Sequence, residues 1–152
     1  MLKVGDAAPP FEAKTTRGDS VRLEDLRGRY VVLYFFPKAF TSGCTLETRG
    51  FQSNYSELTE LGAEVVGVST DSMQTQCAFA EKHSVAFPMI ADRNGSISKA
   101  YRAARWLLPF NKRITYVIGP DGKIAAVYDS ELRAGKHVND ALDYIRRVAE
   151  AG

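Results

Sequence analysis

The sequence predicts an α/β protein with a central mixed β-sheet flanked by helices, preceded by an N-terminal β-hairpin. Apolar runs with the length of buried strands alternate with segments of helical periodicity, which is typical of parallel strands joined by crossover helices. Later in the chain, Asp121 and Gly122 separate two apolar runs, a strong hairpin signal that adds antiparallel strands. A closing amphipathic helix completes the pattern.

The composition bounds the class of protein. The 152 residues form one expected domain, residues 1–152, and 45% hydrophobic with 25% charged residues is ordinary for a globular protein. A net charge of +2 without a concentrated basic stripe argues against nucleic-acid binding. No apolar run approaches the roughly 18 residues that span a membrane, and no secretory signal is visible, so we expect a cytoplasmic protein. No dinucleotide or phosphate-loop motif is present, so we expect no cofactor.

The first elements follow in order. Residues 11–14 and 20–23 predict the small N-terminal hairpin, and residues 23–28 predict a helical turn that ends at a glycine. Residues 30–36 form a continuous apolar run, which predicts a strand covered on both faces. A helix is predicted from Cys44 to Leu61, ended by a glycine, because its apolar residues share one face. These are Phe51, Tyr55, Leu58 and Leu61.

The second half alternates in the same way. Residues 64–69 predict a strand, and residues 72–83 a helix with Asp71 as its N-cap. Residues 87–90 predict a short extended piece and residues 96–101 a short helix. The two hairpin strands are predicted at residues 113–118 and 123–128, followed by an amphipathic helix over residues 138–149.

Cys44 stands out as a candidate nucleophile. It opens a predicted helix just past the carboxyl end of a buried strand, where ligand sites of open sheets lie. Free N–H groups and the helix dipole favour a thiolate there, and the thiolate is the reactive form of cysteine. Pro37 and Thr41 precede it in the pattern P-x-x-x-T-x-x-C. The alternative for a single cysteine is that of a small buried hydrophobic residue.

This motif resembles the active-site loop of a known family. Residues 37–45 (PKAFTSGCT) are similar to the peroxidatic-cysteine loop of the peroxiredoxins, and residues 34–38 and 43–47 resemble their Q-type branch, the bacterioferritin comigratory proteins. Similarity extends in order through nearly the whole chain, at residues 5–11, 69–72, 87–92 and 113–124.

The resemblance implies a thioredoxin-like fold and a thiol peroxidase that reduces hydrogen peroxide and organic hydroperoxides. Cys44 would attack the peroxide and become a sulfenic acid, Thr41 would orient the peroxide and Pro37 would shield the thiolate. Arg113 matches the family's active-site arginine, although a surface arginine at a strand start is the alternative. Glu47 shares the helix face of Cys44 and is expected to pair with an arginine as a supporting residue, its alternative being a favourable charge near the helix start.

The chain departs from the branch at the resolving cysteine. Many members carry it five residues after the peroxidatic cysteine, where this chain has Arg49. Cys77, on the next predicted helix, is therefore the candidate resolver, which would form an intramolecular disulfide that thioredoxin or a similar dithiol reduces. If Cys77 is structural, the chain is a one-cysteine peroxidase or a peroxide-sensing relay.

The remaining features of the sequence say less about chemistry. With no C-x-x-C, neither a zinc site nor a dithiol oxidoreductase is expected, and His83 and His137 are expected at the surface or at helix ends. A non-catalytic binding module is disfavoured by the combined motif. The apolar residues 106–110 suggest core packing, a pocket wall or a self-association patch. We expect a monomer, with a dimer as the alternative.

Overall fold

A computed structural model describes residues 1–105, 107–129 and 133–151. Apart from one predicted helix that the structure divides in two, the strands and helices lie where the sequence predicts them, within a few residues at most ends. The strands are β1 Glu12–Lys14, β2 Ser20–Arg22, β3 Tyr30–Phe35, β4 Ala63–Ser69, β5 Met89–Ala91, β6 Ile114–Ile118 and β7 Ile124–Asp129. The helices are α1 Ser42–Ser53, α2 Tyr55–Glu60, α3 Met73–Lys82, α4 Ser96–Ala100 and α5 Ala134–Ala151, and a 3-10 turn spans Leu23–Leu26.

The main sheet is mixed, as predicted. Its strand order is β5-β4-β3-β6-β7, with β3, β4 and β5 parallel to one another and β6 antiparallel to both β3 and β7. The pair β1 and β2 forms the separate N-terminal hairpin. In this order the carboxyl ends of β3 and β4 lie beside the amino end of β6, and this edge carries the candidate site.

Two hydrophobic cores cover the two faces of the sheet. Because side chains alternate along β3, Val32 and Tyr34 belong to one core and Leu33 and Phe35 to the other. The first core is closed by buried residues of α1, α2, α3 and α5. The second is closed by the N-terminal segment and by residues around α4. None of the helices in the described parts of the chain is long and apolar enough to cross a membrane.

The single helix predicted from Cys44 to Leu61 is wrong, since the structure divides it at Asn54. The side-chain amide of Asn54 donates a hydrogen bond to the carbonyl of Gly50 at 2.8 Å, and its backbone leaves the helical region. Short polar side chains compete in this way for helix carbonyls. Phe51 and Leu58 are nevertheless buried in the same core, which is why the apolar periodicity continues across the break.

The predicted N-cap of α3 is also wrong. Ser72, not Asp71, caps this helix, accepting a hydrogen bond from the backbone N–H of Thr75 at 3.2 Å. The carboxylate of Asp71 instead accepts from the backbone N–H of Ala39 at 2.8 Å and from the Ser69 hydroxyl at 2.7 Å. Asp71 therefore fastens the loop between β3 and α1 to the end of β4.

Candidate active site

Cys44 is the third residue of α1, and its side chain is fully buried among the core residues of that face. Thr41 is the N-cap residue of α1 by backbone conformation, but its side chain does not cap the helix. Its hydroxyl donates a hydrogen bond to the Lys38 carbonyl at 2.7 Å. Because that bond uses the hydroxyl proton, the oxygen of the exposed Thr41 keeps lone pairs with which it can accept a hydrogen bond.

Arg113 reaches Cys44 from the neighbouring strand. It immediately precedes β6, which runs antiparallel to β3 with Ile114 opposite Phe35, so Arg113 lies beside the chain leaving β3. Its Nη2 donates to the Cys44 Sγ at 3.4 Å, and the side chain is only 6% exposed. A guanidinium this close stabilises a thiolate and supplies fixed donors to a polar transition state.

Glu47 holds the other side of the guanidinium. Its Oε1 accepts from Arg113 Nη1 at 2.7 Å, and both groups are buried, so the predicted pairing of Glu47 with an arginine occurs in the structure. Burial raises the pKa of Glu47 to about 8, although the charge and hydrogen bond of Arg113 oppose this. For Arg113 burial works against the charge, but the facing Glu47 and Cys44 raise its pKa above the ordinary value.

His137 joins this cluster. It lies at a helix end, which was one of the two expected positions, but it is not at the surface. It lies buried in the first turns of α5. Its Nδ1 is 2.8 Å from the Thr115 hydroxyl and 3.7 Å from Glu47 Oε2. The sequence carried a signal for this position, because His137 precedes the buried Ala141 by one helical repeat and so lies on the apolar face of α5.

The structure also places the other residues that the sequence analysis singled out, apart from Trp106. Pro37 is half-buried at the end of β3, and Cys77 is half-buried on α3. The loop between β3 and α1 contacts α3, because the rings of Phe40 and Phe79 pack edge to face at 5.2 Å between centroids. His83 ends α3, as expected. Trp106 lies outside the described residues, while the adjoining Leu107 and Leu108 are exposed.

The arrangement suits a nucleophilic thiol rather than a metal centre. Across the described ranges, no three His, Cys, Asp or Glu side chains gather closely enough to hold a metal ion. The buried thiol instead has a fixed cation at 3.4 Å and a helix start behind it. Both cysteines are free thiols in this structure.

Comparisons with known proteins identify chains to which this one is similar. The family model described as AhpC/TSA matches residues 4–127. Peroxiredoxin Bcp of Bacillus subtilis is 32% identical over 155 residues, covering 98% of each chain. Peroxiredoxin Bcp of Escherichia coli is 33% identical over 154 residues, covering 97% of this chain and 98% of its own. The crystal structure of peroxidoxin BcpB from Mycobacterium tuberculosis superposes with a TM-score of 0.90 at 35% identity, covering 97% of this chain and 99% of that one.

Proposed function

Because the chain belongs to the AhpC/TSA family and is a peroxiredoxin, a thiol-dependent peroxidase, we propose that Cys44 is its peroxidatic cysteine. The family and the thioredoxin-like fold predicted from the sequence are thereby confirmed. The contact of 3.4 Å between Arg113 Nη2 and Cys44 Sγ carries the assignment of the nucleophile. An always-charged guanidinium at this distance offers a fixed donor to the sulfur, and the thiolate is the attacking form of cysteine.

The proposed reaction with peroxide has one covalent step. The Cys44 thiolate attacks one peroxide oxygen, an S–O bond forms and the O–O bond breaks, leaving a sulfenic acid and an alkoxide or hydroxide. That anion takes up one proton and leaves as alcohol or water. The Thr41 oxygen, whose proton is given to Lys38, is suited to accept the peroxide's hydrogen bond, and Arg113 is suited to stabilise the charge that develops on the breaking bond.

We propose that Cys77 then resolves the sulfenic acid. Its sulfur attacks the Cys44 sulfur, an S–S bond forms and water leaves. A disulfide requires Cα atoms within about 7 Å, and Cys44 is buried, so we propose that the start of α1 opens to bring Cys44 to Cys77 on α3. The start of α1 favours such opening, because it lacks a side-chain cap and follows Phe40, whose φ of 68° is strained for a residue other than glycine.

The resulting disulfide needs an external dithiol, for which we propose thioredoxin or a similar protein in the cytoplasm. The chain has no C-x-x-C motif of its own to supply the electrons. Reduction transfers two electrons and two protons from the dithiol to Cys44 and Cys77, which restores the starting thiols. We propose that the single domain of residues 1–152 carries out this cycle as a monomer.

Intact mass after one equivalent of hydrogen peroxide tests both assignments. Wild type, Cys77→Ser and Cys44→Ser are compared without reductant. Loss of two hydrogens in wild type, an oxygen adduct on Cys44 in Cys77→Ser, and no rapid change in Cys44→Ser would support the proposal. An oxygen adduct in wild type would make the protein a one-cysteine peroxidase or relay. Rapid oxidation of Cys44→Ser would refute Cys44 as the nucleophile.

A further inference from the structure

The loop between β3 and α1, which carries Pro37 and Thr41, is tied to the rest of the fold by one polar contact. The backbone N–H of Ala39 donates to the Asp71 carboxylate at 2.8 Å. The Thr41 hydroxyl bonds within the loop, and Pro37 has no N–H to donate. Among the described residues, no other hydrogen bond joins residues 37–41 to a segment other than α1. The bond to Asp71 is therefore the polar anchor of this loop.

Asp71 is a firm anchor because its own position is fixed. The same carboxylate oxygen, Oδ2, accepts a second hydrogen bond from the hydroxyl of Ser69 at 2.7 Å. Ser69 is the last residue of β4, is completely buried and pairs with Ala91 of β5. The residue after Asp71, Ser72, caps α3. Asp71 thus joins the loop to the sheet and to the start of the helix that carries Cys77.

The local conformation of the loop does not favour its observed position. Phe40 has a φ of 68°, which is strained for a residue other than glycine, and the side chain of the N-cap residue Thr41 does not cap α1. Apolar packing contributes the buried Ala39 side chain and the contact of Phe40 with Phe79, although Phe40 stays 47% exposed. A hydrogen bond to a carboxylate is stronger than a neutral one, so the anchor at Asp71 contributes strongly to holding the loop.

We propose that Asp71 is a positioning residue for the reaction of Cys44 with peroxide. It acts through Ala39 rather than on the sulfur, and it holds the loop so that Thr41 and Pro37 keep their places at the start of α1. The same bond opposes exposure of the sulfur, because an opening of α1 that carries the loop with it separates Ala39 from Asp71. This inference rests on the proposed function in taking Cys44 as the thiol that peroxide oxidises.

Hydrogen exchange in the reduced protein measures the opening without any peroxide. The amide to follow is that of Thr45 in the first turn of α1, which donates to the Thr41 carbonyl at 2.9 Å. In Asp71→Ala its exchange should be at least about 10-fold faster, the factor expected for loss of a hydrogen bond to a charged group. Asp71→Asn, which keeps an oxygen acceptor without the charge, should give a smaller increase.

Thr70→Val is the matched control. Thr70 precedes Asp71, and its hydroxyl donates to the Pro109 carbonyl at 2.8 Å, so this variant removes a neighbouring hydrogen bond that does not reach the loop between β3 and α1. Exchange at Thr45 should match that of wild type. Ser69→Ala keeps the Asp71 carboxylate but removes the hydroxyl that orients it, and should speed exchange less than Asp71→Ala does. Ser69→Ala and Asp71→Asn carry the test if Asp71→Ala does not fold.

Two chemical steps should respond in opposite directions, which a merely structural role would not produce. Both are measured in a Cys77→Ser background, so that no disulfide competes for the sulfenic acid. With Asp71→Ala added, oxidation of Cys44 by hydrogen peroxide should be about 10-fold slower, because a displacement of about 1 Å in positioning groups is costly to rate. Trapping of the Cys44 sulfenic acid by dimedone should be about 10-fold faster, because the sulfur is exposed more often.

Equal exchange at Thr45 in Asp71→Ala and wild type would overturn the proposal. Equal effects of Thr70→Val and Asp71→Ala, or oxidation and trapping rates that change in the same direction, would overturn it as well. Failure of peroxide to oxidise Cys44 in Cys77→Ser alone would instead refute the proposed function, and the exchange measurement would still decide whether Asp71 holds the loop.

Discussion

Gly43 determines how closely Arg113 can approach the thiol, and Gly43→Ala tests that geometry. A Cβ at this position would lie 2.9 Å from Arg113 Nη2 and 3.6 Å from Cζ. Reaching an ordinary contact of 3.4 Å requires the guanidinium to move by about 0.5 Å. The moved atom is the donor to Cys44 Sγ at 3.4 Å, so the substitution disturbs that contact directly.

The expected loss of reaction rate follows from the cost of losing a fixed hydrogen-bond donor. Removal of one preorganised donor to a developing negative charge lowers rates by roughly 100- to 1000-fold, and a displaced donor should cost about 10-fold or more. The fold should be retained, because the added Cβ meets only the far end of the Arg113 side chain, which can shift without moving the backbone. Activity should therefore fall while stability does not.

The assay is the second-order rate of Cys44 oxidation, measured by rapid quenching with an alkylating agent and peptide mass. Gly135→Ala is the matched control, since this glycine is also helical and its added Cβ would find, among the described residues, nothing nearer than Leu46 Cδ2 at 4.0 Å. Gly43→Ala with a native fold and a rate within about two-fold of the control would refute the role of Arg113 geometry.

Three further substitutions test packing and charge. Gly50→Ala places a Cβ 2.9 Å from Val138 Cγ2 at the contact of α1 with α5, and should lower the free energy of unfolding by about 1–2 kcal/mol in denaturant titration; an unchanged midpoint would contradict the close packing. Tyr34→Phe removes the 2.9 Å hydrogen bond to the buried Thr48 hydroxyl and should cost about 1–2 kcal/mol in the same assay, whereas a neutral result would mean that Thr48 finds another partner. The pKa of Glu47 is about 8 in the folded state against 4.5 in the unfolded chain, so the folded state binds more protons between pH 4.5 and 8. The free energy of unfolding should therefore fall as pH rises through this window, by at most about 1.4 kcal/mol per pH unit. Glu47→Gln should remove that slope, and a variant with the same pH dependence as wild type would contradict it.

The elements could be predicted from the sequence because each carries a local signal. The continuous apolar run of β3, the Asp-Gly turn before β7 and the apolar face of α5 are readable without knowing the fold. The break at Asn54 could not be read in the same way, because the apolar positions continue in phase on both sides of it. The break is accompanied by a side-chain hydrogen bond from Asn54 to a carbonyl, which periodicity does not report.

The candidate site was predictable only in part. Cys44 could be chosen from its position alone, since a strand end followed by a helix start is a local pattern. Arg113 could be identified only through the resemblance to the family, because its contact with the sulfur joins residues 69 positions apart in the chain. His137 was missed because an isolated histidine has no partner in the sequence, and its partners Glu47 and Thr115 come from α1 and β6.

The antiparallel direction of β6 explains why Cys44 could be chosen from local sequence while Arg113 and His137 could not. If β6 ran parallel to β3, its start would lie at the opposite edge of the sheet and Arg113 would be a strand length away from Cys44. Because β6 is antiparallel to β3, with Ile114 opposite Phe35, the residue that enters β6 meets the residues that leave β3. The chain then continues through β7 into α5, which packs on α1 and brings His137 to Glu47. A helix-start thiol thus obtains its buried cation, Arg113, and the histidine beside Glu47 from the antiparallel half of the fold, where no local sequence pattern points to a thiol site, whereas Glu47 comes from the same helix as the thiol.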